Sequence, residues 1–205
     1  MALRYFAVLT VVLALATTSK RAVADPDILS DFIVPQNNTK VNGTFFTCTK
    51  FRGLFDGVPE TFKVTKAALT EFPALNGQSV SYAVLQFPAN GVNPPHTHPR
   101  SAELLFLVAG SLDVGFVDTK NVLYSQKLQV GDIFVFPKGL VHYQYNSQPN
   151  MPAIAVSAFG SANAGTVSVP LSVFATEIDD EILAKSFKTD VDTIEKIKAG
   201  LAPHK

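Results

Sequence analysis

The sequence predicts an all-β protein, built as a single-domain jelly-roll β-barrel with C-terminal α-helices. Short apolar segments separated by Gly, Pro and polar turns fill the chain between residues 61 and 175. Regular strands with turn signals at such spacing are typical of a sandwich or barrel. The last part of the chain changes to a helical period, and we find no internal repeat. One barrel with a helical tail is therefore expected.

Residues 1–24 have the pattern of a secretory signal peptide. Arg4 gives a positive start, Tyr5–Ala16 is apolar, and Ala22-Val23-Ala24 is a small-x-small cleavage site. Cleavage after Ser19 is the alternative. The apolar run is shorter than the roughly 20 residues that a membrane span needs. We expect a secreted protein with no membrane span.

The charge balance of the mature chain argues against nucleic-acid binding. Loss of the three basic residues in the leader leaves 14 basic residues against 17 acidic ones. Nucleic-acid binding needs a basic surface. Hydrophobic residues make up 47% and charged ones 17% of the sequence, which excludes disorder for most of it. The length suits one domain with a sizeable core.

Residues 25–60 are expected to form an N-terminal extension ahead of the barrel. Two N-glycosylation sequons begin at Asn37 and Asn42, in a polar stretch typical of a loop. Either sequon is a candidate site in a secreted chain.

The barrel strands are predicted within residues 61–175. Near-continuous apolar runs indicate strands covered on both faces, as in a barrel with neighbouring subunits outside. The alternation in Ser111–Val117 indicates a half-buried strand. The expected strands are 79–87, 103–108, 111–117, 121–128, 133–136, 142–146 and 153–159.

Residues 176–205 are expected to form a helical oligomerisation segment. Asp179–Phe187 and Asp190–Ala199 have helical periodicity, Asp190 can cap the second helix, and Gly200 can end it. Their apolar stripes have no room inside a closed barrel. We therefore expect them to cover a partner subunit.

A candidate metal site lies in two separated segments. His96 and His98 project to the same side of an extended strand, and a bend at Pro99 allows Glu103 to return on a neighbouring strand beside them. His142 follows a second Gly- and Pro-punctuated segment. Three imidazoles and a carboxylate with open positions suit Mn(II), Fe(II) or, less well, Zn(II) and Cu(II). Structural zinc is disfavoured because no thiolates accompany the set.

These two segments resemble the paired motifs of cupins. Glu103 is followed by Gly110, and Gly131 leads to Pro137, Gly139, His142 and Asn146. The Asn-Pro-Pro-His-Thr-His-Pro-Arg stretch at 93–100 is similar to that of plant germins and germin-like proteins. The resemblance covers essentially the whole mature chain. It implies manganese as the cofactor, a homo-oligomer, with a hexamer (a trimer of dimers) as the leading candidate, and an extracellular location in the apoplast or cell wall.

The resemblance also implies residue roles. Asn93 matches an asparagine that touches the substrate in oxalate-degrading germins, although it is also a plausible turn residue before Pro94. A second substrate asparagine of those enzymes is Ala83 here, which offers no hydrogen bond. Asn146 either orients a ligand or satisfies a backbone group, and we favour the backbone role. Germin-like proteins usually have two cysteines near the mature N-terminus; this chain has only Cys48, so it is a buried free thiol or an intermolecular partner, and we favour burial.

Two functions follow from these observations. The first is a secreted manganese enzyme that dismutates superoxide, with little or no oxalate oxidase activity and a role in plant defence. The second is an extracellular binding or receptor-like protein that holds a small carboxylate, such as an auxin-type ligand, at the metal. Storage is disfavoured by the single barrel and the intact ligand set. Both remaining functions need the same open metal site, so the sequence does not distinguish between them.

Overall fold

The fold consists of two antiparallel five-stranded sheets that face each other. A computed structural model describes residues 28–36 and 41–202. The signal-peptide prediction and the sequon at Asn37 lie outside these residues. The first sheet has the strand order β1-β2-β9-β4-β7. Its strands are β1 (Lys63–Ala67), β2 (Ser81–Phe87), β4 (Glu103–Ala109), β7 (Ile133–Phe136) and β9 (Ala153–Phe159).

The second sheet completes the jelly roll, with strand order β10-β3-β8-β5-β6. Apart from the β1–β2 and β5–β6 pairs, sequence-adjacent strands lie in opposite sheets, so the chain repeatedly crosses from one layer to the other. This confirms the all-β barrel that the sequence predicts. Its strands are β3 (Val92–Thr97), β5 (Ser111–Val117), β6 (Leu123–Gln129), β8 (Val141–Tyr145) and β10 (Val167–Ser168).

The core lies between the two sheets, and strand β4 shows how the sequence forms it. Side chains alternate across a strand. Leu105 and Leu107 therefore point inward and are fully buried, whereas Leu104 and Phe106 point outward and are 46% and 42% exposed. The apolar run was expected to be covered on both faces, but within one chain only the inner face is covered.

The three C-terminal helices are α1 (Val169–Phe174), α2 (Asp180–Phe187) and α3 (Val191–Leu201). The two long helices confirm the helical tail, and α1 was not predicted. Asp190 does cap α3, since its side chain accepts from the backbone N–H of Thr193 and from the hydroxyl of the same residue. These two hydrogen bonds lower the pKa of Asp190. Gly200 does not end α3, which continues to Leu201. None of the described helices combines the length and apolar character that crossing a membrane requires.

The helical tail buries only part of its apolar surface within the chain. Leu183 and Ile194 are buried where α2 packs on α3, with Phe174 of α1 beside them. Ile182 and Phe187 of α2 are 59% and 54% exposed. The outer part of the stripe is left uncovered within the chain, and its cover by a partner subunit stays a prediction.

The described part of the N-terminal extension consists of turns. Gln86 of β2 fixes it to the barrel, because its amide donates to the carbonyls of Leu54 and Gly57 at 2.9 and 2.8 Å. Cys48 is a free thiol in the described part of the chain and is half-buried, so the burial that we favoured is only partial. Asn42 is exposed, in a turn that its side chain closes by accepting from the backbone N–H of Thr44.

Candidate metal centre

The four predicted ligands meet inside the barrel. His96 is the last residue but one of β3 and lies directly across from His142 of β8, so two imidazoles of the second sheet stand side by side. All four side chains are buried, and one ligand atom from each lies within 4.8 Å of the others. The sequence prediction that His96, His98, Glu103 and His142 converge is borne out.

Glu103 reaches this cluster by a different route from the one expected. We predicted that it returns on a strand neighbouring the histidines. Instead, β3 and β4 belong to opposite sheets, and residues 98–102 carry the chain from one to the other. The Glu103 carboxylate therefore crosses the barrel interior to meet the histidines. The bend at Pro99 exists, but it changes the layer and does not form a hairpin.

The second nitrogen of each imidazole ring is committed to a backbone carbonyl. The Nδ1 atoms of His96, His98 and His142 lie 2.8, 2.5 and 2.8 Å from the carbonyl oxygens of Pro94, Gly165 and Leu140, respectively. A carbonyl can only accept, so each Nδ1 carries the proton. A ring that carries no second proton then turns the lone pair of Nε2 into the cluster. Such outer partners are typical of metal-ligating histidines.

The loop under His98 is held by Arg100. Its guanidinium donates to the carbonyl and the side-chain oxygen of Asn163 at 2.6 and 2.9 Å. Gly165 has φ +70°, and a Cβ there would lie 2.6 Å from the guanidinium. The positive φ favours glycine, and a side chain here would displace the guanidinium. The loop held in this way presents the Gly165 carbonyl to His98.

Both carboxylate oxygens of Glu103 have polar partners. Its Oε2 lies 3.0 Å from Nε2 of His98 and 3.1 Å from Nε2 of His142, and its Oε1 accepts from Ser157 and Gln144 at 2.5 and 3.4 Å. Burial raises the pKa of Glu103, but hydrogen bonds from His142 and His98, when those rings carry a second proton, outweigh it and lower the pKa to about 2. The residue is thus a carboxylate at neutral pH.

The electrostatics of the cluster favour a cation. Burial, followed by the charge of His142, lowers the pKa of His96 to about 4, so this ring stays neutral. Without a second proton on His98 and His142, imidazole lone pairs would point at an ionised carboxylate oxygen. A proton or a metal ion has to stand between them, and nitrogen and oxygen donors of this kind suit a divalent transition metal. The residues present therefore fit a metal.

Aromatic side chains fix the rings that carry these lone pairs. Phe136 stacks on His142 with ring centroids 4.5 Å apart, and Phe159 meets His98 edge-on at 4.9 Å. Both phenylalanines belong to the first sheet. Their packing limits ring rotation, so the site is pre-formed by the barrel core.

A cavity of about 180 Å³ lies beside the cluster. Asn93 lines it, as predicted for a ligand contact, but its amide donates to Oε1 of Gln144 at 2.6 Å. Ala83 also lines the cavity and presents only a methyl group. Asn146 does not line it; its amide donates to the carbonyls of Pro88 and Met151, which supports the backbone role that we favoured.

Sequence reasoning missed two residues that hold Glu103. Gln144 follows His142 by two positions on β8, so the period-two rule could have placed it on the same inward face. Ser157 carries no such signal. It lies on β9, and only the pairing of β9 with β4 brings its hydroxyl to Glu103.

This barrel, with an inward His₃Glu cluster, defines the chain as a cupin. The cupin family model matches residues 56–195. A solved oxalate oxidase in complex with the substrate analogue glycolate superimposes with a TM-score of 0.77 at 31% identity, covering 87% of this chain and 98% of its own.

Relatives of similar sequence show to which group of cupins the chain belongs. Putative germin-like protein 9-2 of Oryza sativa subsp. japonica is 58% identical, over 99% of this chain and 98% of its own length. Germin-like protein 9-3 of the same rice is 60% identical over 96% of each chain, and nectarin-1 of Nicotiana plumbaginifolia is 40% identical over 89% and 85%. The chain therefore belongs to the germin-like proteins.

Proposed function

We propose that this chain is a secreted, manganese-binding germin-like protein that dismutates superoxide and has little or no oxalate oxidase activity. The observation that carries the proposal is the buried His₃Glu cluster beside a cavity whose Ala83 wall offers no hydrogen bond. Dismutation converts two superoxide ions and two protons into dioxygen and hydrogen peroxide. Manganese supplies the one-electron exchange when it is bound.

The protein's own residues would supply a pre-formed site from which water is partly excluded. His96, His98, His142 and Glu103 would hold the metal, since all four are buried and their outer hydrogen bonds fix their donor atoms. Three nitrogens and one carboxylate leave coordination positions free in a six-coordinate ion. A diatomic anion needs only such a position and access through the cavity.

Oxalate makes larger demands on the same cavity. It is a dianion with four oxygens, and one metal can hold only two of them. An unmet hydrogen bond to a charged group costs about 1.5–3 kcal/mol, or roughly ten- to a hundredfold in binding. Ala83 has no donor, and the Asn93 amide already uses one of its two N–H groups on Gln144. Both observations support superoxide over oxalate.

Assays on the purified, manganese-loaded protein test this proposal. We expect superoxide dismutation with little oxalate turnover, and about tenfold tighter oxalate binding in Ala83→Asn, which restores one amide. Ala83→Val fills the same space without a donor and is the matched control. Ready oxalate turnover by the unmodified protein would refute the argument from the missing amide.

A second candidate is supported by the size of the cavity. About 180 Å³ is more than superoxide needs, and Val64, Leu85 and Phe159 make part of its wall apolar. An extracellular binding protein that holds a small carboxylate, such as an auxin-type ligand, at the metal fits that wall. Saturable binding of an aromatic acetate without superoxide turnover would favour this candidate.

The cell biology and assembly of the protein belong to the same proposal. The leader at residues 1–24 and the family relationship support secretion into the apoplast, where a role in defence is expected. The exposed apolar residues of β4 and α2 support a homo-oligomer, with a hexamer built as a trimer of dimers as the leading candidate. Asn42 is exposed and is a candidate glycosylation site, together with Asn37.

A further inference from the structure

The cavity beside the metal cluster opens between the edges of the two sheets. On one side is β1, the edge strand of the first sheet; on the other is the segment that enters β10. Lys66 of β1 donates to the Thr166 hydroxyl at 3.3 Å, and that same hydroxyl lies 3.5 Å from Nδ1 of His98. A single hydroxyl therefore links the lysine to a ring of the metal cluster.

Lys66 is the one cationic residue among the described residues that line this cavity, and the sole acidic residue in the lining, Glu103, belongs to the metal cluster. The remaining polar lining comes from neutral groups such as Asn163 and Thr166. The mouth of the cavity is thus positive, because the carboxylate of Glu103 lies in the buried cluster and does not neutralise the charge of Lys66 at the mouth.

A second surface depression adjoins the first and adds to this charge. It runs along the free edge of β1 and shares Val64 and Lys66 with the cavity. Lys50 and Lys63 also line it, against one carboxylate, Glu71. Three lysines therefore line a depression that adjoins the cavity, although residues 25–205 include more acidic than basic residues.

We propose that Lys66, with Lys63 and Lys50 behind it, forms an anion entrance that draws small anions from solvent and holds them at the mouth of the metal cavity. The ligand class is a small anion, superoxide or a carboxylate. The inference deepens the proposed function, since it gives the basis on which the cavity selects its ligands by charge.

The physical reason is that a cleft lined by one sign of charge focuses the field and raises the local concentration of oppositely charged ligands. Lys66 acts at the shortest range, because Thr166 connects it to His98. Lys63 and Lys50 line only the adjoining depression, so they act from further away, and their charges are screened within about 8–10 Å at physiological salt. Loss of the Lys66 charge should therefore weaken anion binding more than loss of either outer lysine.

The test is isothermal titration calorimetry of the full-length secreted protein, as purified, with azide as the probe anion. We expect Lys66→Gln to weaken azide binding about three- to tenfold at low ionic strength. Lys66→Arg keeps the charge and should stay within about twofold of the unmodified protein. Lys127→Gln removes an exposed charge from β6, outside both depressions, and is the matched control.

Glu71 gives a test of opposite sign. Its carboxylate accepts from the backbone N–H of Ala68 at 3.1 Å, and a glutamine can keep that bond through its carbonyl oxygen. Glu71→Gln should therefore tighten azide binding, by less than Lys66→Gln weakens it. Raising the ionic strength should shrink both effects.

Two results would overturn the inference: no measurable azide binding by the unmodified protein, or equal affinity in Lys66→Gln. Failure of the proposed function gives a different result. If superoxide is not dismutated but azide affinity still depends on the charge at position 66, the anion entrance stands and the activity is refuted.

Discussion

We predict that Ser157→Ala weakens the candidate metal centre, because it removes a hydrogen bond to the carboxylate of Glu103. The Ser157 hydroxyl donates to Oε1 of Glu103 at 2.5 Å, and both residues are almost completely buried. The other donor to that oxygen, Gln144, is 3.4 Å away and makes a weak bond. Removing the serine hydroxyl therefore leaves a buried, ionised carboxylate oxygen poorly satisfied.

The expected loss follows from the charge on the acceptor. A hydrogen bond to a charged group contributes about 1.5–3 kcal/mol. For a chain of this length, that loss lowers the melting temperature by roughly 3–12 °C. Loss of an outer partner of a metal ligand typically costs 10- to 100-fold in metal affinity. We expect both effects, the first in thermal unfolding of the metal-free protein and the second in manganese competition with a chelator.

Ser168→Ala provides the matched control. The Ser168 hydroxyl is also buried, but it makes no hydrogen bond within the described part of the chain. Its removal should change neither manganese affinity nor, beyond a small amount, the melting temperature. If Ser157→Ala behaves like Ser168→Ala in both measurements, Ser157 does not hold Glu103 and the reasoning fails.

Two further predictions concern the metal and the assembly. His98→Ala removes one buried donor and should abolish stoichiometric manganese in metal analysis, together with the stabilisation that a metal bound only to the folded state provides; His204→Ala is the control, and full occupancy in His98→Ala would contradict the proposed ligand set. Deleting the chain after Thr176 removes α2 and α3 with their exposed Ile182 and Phe187, and should give smaller species or aggregates in size-exclusion chromatography with light scattering. An unchanged, well-behaved oligomer would mean that these helices serve only their own barrel.

Much of the fold could be predicted from the local sequence. The period-two and continuous apolar segments gave Ser111–Val117, Ile133–Phe136 and Ala153–Phe159 with the bounds that the structure has. Strand formation depends on side-chain pattern and turn residues, which are local properties. The same holds for the Asp190 cap of α3. The short helix α1 and the continuation of α3 past Gly200 were missed, because packing of these helices on one another competes with local turn signals.

The four candidate metal ligands could also be predicted from the sequence, because their residue types and spacing carry the chemistry. The tertiary structure alone decided how they meet: Glu103 comes from the opposite sheet, and Ser157 and Gly165 approach the cluster from distant parts of the chain. The same is true of Lys66, an ordinary surface lysine in the sequence that reaches the cavity mouth through Thr166. Sequence spacing fixes which side of a strand a residue faces, whereas contacts across the barrel depend on which strands pair and which sheets oppose, and this is set by the packing of the whole chain.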